Sequence, residues 1–408
     1  MIASRKCTID WSKGIVDWYL PKELEGITFL AVGDILVEGT FLGVIEEVIK
    51  KKGGAFLLGP SRSILQSADV ILGNLENPLS ERGDPISKRG PHFRASPQMV
   101  KVLSDAGFTI LGVANNHARD YGDHAFLDTL DCLQGAGILS VGGGRDSSSA
   151  LKPVIIRTRE LSIGILAFTY RQESVAKKKQ PGSADLDSPE CYKAVKALCD
   201  KVDLVIVFLH MGPEYSDYPA PHRIKMARRF IDLGTEMVIG HHPHVPQGLE
   251  IYKGKLIAYS LGNFLFHTEK YRSLTRLGYL LKAKLTKKGT AWARIIPYRI
   301  NDSYQPWPLA NKDYAKTMSY LEDISKGLHD PKVVELNWEE IAIKQTIVDI
   351  DHILRSILTR KTFSLWSRYL TPSKYRYQAF LQGLLKGRVW VYFKNWVRTR
   401  NLEVERDV

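Results

Sequence analysis

Three histidines crowd one short stretch, "VIGHHPHVPQG", where His241, His242 and His244 surround Pro243. Imidazole is a common metal ligand, and on an extended segment His242 and His244 lie on the same side, where they can grip adjacent ligand positions. Residues of matching chemistry stand at the ends of apolar runs elsewhere. Asp34 follows "ITFLAVG", Asn74 and Glu76 close "ADVILGNLE", Asn115, Asn116 and His117 close "FTILGVANNH", and His210 closes "DLVIVFLH". Oxygen and imidazole donors without thiolates suit Mn, Zn, Fe or Mg. Six or more such groups indicate two divalent ions sharing one carboxylate. Singly, each residue has a plainer reading: Asp34 as a helix cap, Asn74 or Asn116 as a turn residue, His210 as a hydrogen-bonded core histidine. Their joint placement points to a metal centre.

The elements that must position them are legible as alternating segments. From Ile27 onward, short apolar runs alternate with helix-patterned stretches such as "SPQMVKVLSDAGF", "DHAFLDTLDCLQGAG" and "HRIKMARRFIDLG", each closed by glycine. Near-continuous apolar strands between helices are the pattern of sheets covered on both faces, an α/β architecture. In such sheets ligands bind outside the carboxyl ends of the strands. Five of eight runs end in ligand-type residues, whereas "ILSVGGG" and "LSIGILAFTY" do not, so polar ends are not a general habit of this chain. The pattern "LGYLLKAKLTKKGTAWARIIPYRI" predicts a hairpin that closes the sheet with antiparallel edge strands. "SVGGGRDSSSA" lacks the spacing of a phosphate loop or a dinucleotide fingerprint and predicts a tight turn capped by Asp146 or Ser147.

With 408 residues, 44% hydrophobic and 25% charged, the chain has room for one large α/β body and an appendage. Its four cysteines, Cys7, Cys132, Cys191 and Cys199, have no CxxC spacing, which argues against a thiolate metal site or a disulfide framework. The N-terminus lacks the apolar core of a signal peptide, and no run reaches the roughly 18 apolar residues of a spanning helix. A cytoplasmic protein, peripheral to a membrane at most, is expected. Of the net charge of +13, residues 341–408 carry +8, with 13 Lys or Arg against 5 Asp or Glu. This basic, aromatic tail fits two pictures: a helix lying in a membrane interface through residues 341–408, or helices packed on the body with a basic face in water. No nucleic-acid motif accompanies it, and no nucleic-acid partner is expected.

Seven ordered motifs, "AVGDILVEGT", "GNLENPLS", "VANNHARDYG", "FLHMGPEY", "GHHPHVPQG", "YSLGNFLF" and "QPWPLA", resemble the CapA family of poly-gamma-glutamate capsule synthesis. That family is similar to the calcineurin-like metallophosphoesterases. The resemblance covers roughly residues 27–310. It implies a metallophosphoesterase-like four-layer sandwich, two mixed sheets flanked by helices, preceded by a segment 1–26 and followed by a helical C-terminal extension, 311–408.

Carried over position by position, the resemblance implies Asp34 on the first ion and Glu76 bridging both. Asn116, His210 and His242 then fall on the second ion and His244 on the first, with His117 as general acid. Asp120 either orients His117 or caps a helix. Arg94 in "GPHFRASP" and Asn263 in "SLGNF" are candidate contacts to an anionic substrate, while His241, His222, His124 and His92 receive no role. Three departures stand out: Leu36 replaces the histidine of the superfamily's D-x-H, Met211 replaces the family's usual tryptophan, and "VEGT" lacks the usual basic residue. The expected function is metal-dependent phosphoester hydrolysis in capsule or poly-gamma-glutamate-type polymer biosynthesis. The alternative is a non-hydrolytic assembly or binding component for an anionic envelope polymer.

Overall fold

Gly26–Ile35 and Val70–Leu75 are the strands that set the first sheet. The first is buried from Phe29 to Ile35 and the second throughout, and the two pair in parallel. In the computed structural model, which describes residues 6–19, 25–37, 44–88, 90–170, 172–267 and 273–358, they lie at the centre of a mixed sheet. From one edge to the other its order is Thr8–Asp10, Ile15–Asp17, Gly289–Ile300, Leu277–Thr286, Gly26–Ile35, Val70–Leu75, Ile110–Gly112 and Leu139–Val141. Asn263–Leu265 runs parallel beside the end of Gly26–Ile35, and Pro306–Pro308 pairs with Gly289–Ile300. A second sheet runs Leu249–Tyr252, Lys255–Ala258, Met237–His241, Leu204–His210, Ser162–Thr169 and Val154–Arg157. Its four inner strands are parallel and its two edges antiparallel.

Helices cover the outer face of each sheet because their apolar stripes have nowhere else to go. Against the first sheet, Ile45, Leu57, Leu65, Leu103, Phe126 and Leu133 join one buried cluster with Leu30, Ile71 and Leu111. Against the second, Phe230 of the helix Pro221–Asp232 stacks on Phe168 at 6.0 Å and on Tyr192 of the helix Pro189–Cys199 at 5.1 Å. The inner faces meet where Gly112 faces Phe208; a Cβ on Gly112 would lie 3.0 Å from that ring. The result is the helix–sheet–sheet–helix sandwich expected from the sequence. The turn after "SVGGG" is capped by Asp146, whose carboxylate accepts from Ser149 N at 2.7 Å.

The predicted hairpin forms, with Thr286 opposite Gly289, but it does not edge the sheet. Leu277–Thr286 also pairs with Gly26–Ile35, and Gly289–Ile300 with Ile15–Asp17. The edge is built by residues 8–17, read from the sequence as a separate segment. Two three-residue strands are too short to show a period; fully buried Val16 ties them in. At the other end, the helix Asn311–Gly327 buries Met318, Leu321 and Ile324, and Ser325 Oγ accepts from Leu249 N at 2.9 Å.

The chain divides into two compact units, one of residues 1–217 and 225–326, the other of 218–224 and 327–408. In the second, the described helix Pro331–Leu358 brings Trp338 edge-on to His222 at 5.7 Å. Residues 359–408, most of the stretch for which membrane contact was considered, lie outside the described residues. Among the described residues no helix is long and apolar enough to cross a membrane, and all four cysteines are free.

Candidate metal centre

Every ligand-type residue singled out at a strand end arrives at one place. Asp34 is the penultimate residue of its strand, Glu76 follows Val70–Leu75, Asn115 to His117 follow Ile110–Gly112, and His210 and His241 end neighbouring strands opposite each other. The Asp34 strand can hug Asn263–Leu265 because Gly33 has no side chain: a Cβ there would sit 2.1 Å from the Gly262 carbonyl oxygen, to which Asp34 N donates at 3.0 Å.

The cluster's centre is Glu76. It is fully buried and neither carboxylate oxygen accepts a hydrogen bond, an arrangement that costs several kcal/mol unless a cation or proton supplies the missing partner. His210 Nε2 lies 3.7 Å and His244 Nε2 3.6 Å from Glu76 Oε1. Asn116 Oδ1 is 2.7 Å from His210 Nε2. Donor atoms of Glu76, His242 and His244 lie within 4.8 Å of one another, a spacing that fits a metal ion. The donor set and the unsatisfied buried carboxylate both fit divalent-ion chemistry.

His242 and His244 converge by a different route from the extended segment assumed at first. Both have left-handed backbones, with φ of 98° and 58°, unusual for side-chain-bearing residues and costing on the order of 1–3 kcal/mol each. The tertiary structure holds this turn: His242 N donates to Asp34 Oδ2 at 3.2 Å, and Pro243 O accepts from Tyr215 N at 2.8 Å.

Asp34 is surrounded by donors. Oδ1 accepts from Asn74 Nδ2 at 2.8 Å and His241 Nδ1 at 3.1 Å; Oδ2 takes the His242 amide and stands 3.5 Å from His244 Nδ1. Burial alone would raise its pKa, but the contacts from His241 and His244 reverse this and hold the carboxylate well below the usual range. Glu76 moves the other way, pushed well above its ordinary value by burial and by the charge of Asp34. His244 is driven up to about 10: burial opposes its charge, and the carboxylates of Glu76 and Asp34 outweigh burial. The cluster thus demands positive charge, which a bound cation supplies by displacing the proton. Leu36 is buried and offers no donor.

His117 sits at the rim against Phe93, ring centroids 4.5 Å apart. Its Nδ1 donates to Asp120 Oδ2 at 2.7 Å, leaving Nε2 as the nitrogen free for chemistry. Asp120 therefore orients the imidazole. It does not cap the following helix, whose N-cap is Tyr121. Burial lowers the His117 pKa, with Asp120 pulling the other way.

Two expected substrate contacts have their polar groups engaged within the protein. Arg94 stacks its guanidinium 4.2 Å over the Tyr121 ring and donates to the Gly83 carbonyl at 3.4 Å. Asn263 is buried and spends its amide internally: Oδ1 accepts from His244 Nδ1 at 2.9 Å, and Nδ2 donates to the carbonyls of His244 and Thr275. It fixes the His244 tautomer so that Nε2 faces Glu76.

The sequence reading missed three residues. His241, left without a role, donates to Asp34. Asn115, whose Nδ2 donates to Asn74 Oδ1 at 3.1 Å and whose Oδ1 accepts from His117 N at 3.1 Å, braces two ligand loops. The Lys88 side chain is buried, ion-pairs with Asp120 and lies 2.9 Å from His117 Nδ1. Only the first two carried a signal, as strand-end polar residues.

The family described as "Bacterial capsule synthesis protein PGA_cap" matches residues 28–268. The PGA biosynthesis protein CapA of Bacillus subtilis (strain 168) is 33% identical over 326 residues, 79% of this chain and 82% of that protein. The capsule biosynthesis protein CapA of Bacillus anthracis is 30% identical over 317 residues, 75% of each. Among solved structures, a novel phosphatase from Mycoplasma pneumoniae aligns over 72% of this chain and 97% of its own, with 15% identity and a TM-score of 0.43.

Proposed function

The chain belongs to the bacterial capsule synthesis family PGA_cap, and from that premise we propose that it is a metal-dependent phosphoester hydrolase serving the biosynthesis of a poly-gamma-glutamate-type envelope polymer. The observation that carries this reading is Glu76, a buried carboxylate without a hydrogen-bond donor, faced by imidazoles from the second sheet. Asp34, Glu76 and His244 would hold one divalent ion, and Glu76, Asn116, His210 and His242 the other. Bound there, the ions supply Lewis acidity toward a phosphoryl oxygen and a nucleophile at neutral pH. His117, as the imidazolium with Nδ1–H held by Asp120, would give its Nε2 proton to the leaving oxygen and end as the neutral ring. Asn263 and His241 hold His244 and Asp34 in their working orientations. Arg94 is left out of the substrate-binding set because its guanidinium is engaged on Tyr121 and Gly83.

A second reading, a non-hydrolytic component that binds an anionic polymer, is favoured by one observation: Leu36 stands where a ligand histidine is usual, and both Asp34 oxygens already accept hydrogen bonds from the protein. Metal analysis and turnover of bis(4-nitrophenyl) phosphate by the full chain separate the two. The hydrolase reading expects bound divalent metal that is lost in His242→Ala. It also expects His117→Ala to keep the metal while kcat falls by about 10²–10⁴-fold. A folded chain that takes up no divalent metal sinks the shared premise. A metal-replete chain inert on phosphoesters, yet retaining an anionic polymer, supports the second reading.

A further inference from the structure

His117 is held by more than one side chain. Asp120 Oδ2 accepts from His117 Nδ1 at 2.7 Å and from Phe93 N at 2.8 Å, while the other oxygen, Oδ1, is ion-paired with Lys88. Lys88 arrives from the irregular loop between the Glu76 strand and the turn at Pro97–Met99. The loop is pinned to the same place by Ile86 N donating to Asp120 O at 2.9 Å and by Arg94 over Tyr121. Lys88 Nζ also stands 2.9 Å from His117 Nδ1, and the side chain is only 6% exposed.

A carboxylate held through one oxygen can rock about its own Cβ–Cγ bond, carrying the imidazole with it. Hydrogen bonds on Oδ2 and the Lys88 ammonium ion-paired at Oδ1 hold the carboxylate plane from both sides, and the plane fixes the ring. Burying an ammonium is costly, and its ion pair in this structure is with the carboxylate that orients His117. We propose that Lys88 is a positioning residue for His117: by clamping Asp120 it holds the imidazole with Nε2 directed at the leaving group, and it touches neither substrate nor metal. This assignment rests on the hydrolase reading above.

The test compares wild type, Lys88→Met, Lys88→Arg, His117→Ala and Lys88→Met with His117→Ala, all as metal-loaded full chains. Two phosphodiesters are used. Bis(4-nitrophenyl) phosphate expels a phenolate that needs little proton assistance, and cyclic 2′,3′-AMP expels an alkoxide that needs it. Lys88→Met is expected to lower kcat on the alkoxide ester by about 10-fold or more and on the nitrophenyl ester by less than about 3-fold. Lys88→Arg should restore most of the difference. The double variant should be no slower than His117→Ala, because both changes remove one device. Equal losses on the two esters, or additive losses in the double variant, overturn the proposal. Should Lys88→Met fail to fold, Lys88→Ala, which also removes the cation beside Asp120 and leaves room for water, carries the same comparison. If wild type cleaves neither ester, the hydrolase reading fails by itself, and the positioning claim is read by histidine ¹⁵N NMR. The His117 Nδ1–H signal should then be sharp in wild type and exchange-broadened in the Lys88 variant, and identical signals overturn it.

Discussion

Asp34 and His244 show how much of this site depends on residues that need not bind a metal. A ligand imidazole needs its other nitrogen engaged, and Asn263 would do this for His244; a ligand carboxylate needs its orientation fixed, and Asn74 and His241 would do this for Asp34. Such partners are typically worth about 10–100-fold in metal affinity. His241→Phe keeps a ring against Phe208, 4.1 Å away in the native protein, and deletes only the donor to Asp34. Metal titration followed by calorimetry should show affinity reduced by about 10–100-fold. The metal-free variant should unfold more easily by about 1–3 kcal/mol, the typical cost of a buried acceptor losing its donor. Unchanged affinity would mean that Asp34 does not depend on His241.

At the scale of elements, two features place the site and its surroundings. The close approach of Asn263–Leu265 to the Asp34 strand depends on Gly33, where a Cβ would lie 2.1 Å from the Gly262 oxygen. Gly33→Ala must part the strands and move Asp34 with them. A loss of about 1–3 kcal/mol in urea unfolding is expected, as for overpacking elsewhere, together with weaker metal binding; a variant of native stability and affinity would show that the strands can part without cost. The second feature is the helix Pro221–Asp232, where burial pushes His222 down from its ordinary 6.5 to about 4 beside Trp338. The folded state resists a proton that the unfolded chain accepts, so His222 costs no stability above pH about 6.5 and destabilises the fold increasingly as pH falls toward 4. His222→Gln should flatten that part of the acid limb in melting temperature against pH. A limb of unchanged slope would place the acid sensitivity elsewhere, with Asp34 and His210 the next groups to examine.

For the whole molecule, the first sheet brings Asp34, Glu76 and Asn116 to the candidate centre and the second brings His210, His242 and His244, so a cation bound there would tie the sheets together. A ligand at 100 times its dissociation constant stabilises the folded state by about 2.7 kcal/mol, which for a chain of this size is a rise of several degrees in melting temperature. Divalent metal should produce such a rise and chelation reverse it; a melting temperature indifferent to both would mean that no cation joins the sheets. Much of this was readable in advance. Apolar runs ending in Asp34, Glu76, Asn116, His210 and the His242–His244 pair are local chemistry on local periodicity, and they announce α/β layers with ligand-type residues at the strand ends; the sandwich was implied by the family resemblance. What only the tertiary structure decided has a common cause: hydrogen-bond partners far apart in the chain leave no trace in local pattern. His241 meets Asp34 across 207 positions, Trp18 Nε1 reaches the Gly254 carbonyl across 236, and Lys88 reaches His117 from a loop with no periodicity. The left-handed turn at His242 and His244 belongs with these. Its strain is invisible in "GHHPH" and is tolerated only because contacts from distant segments hold the backbone in place.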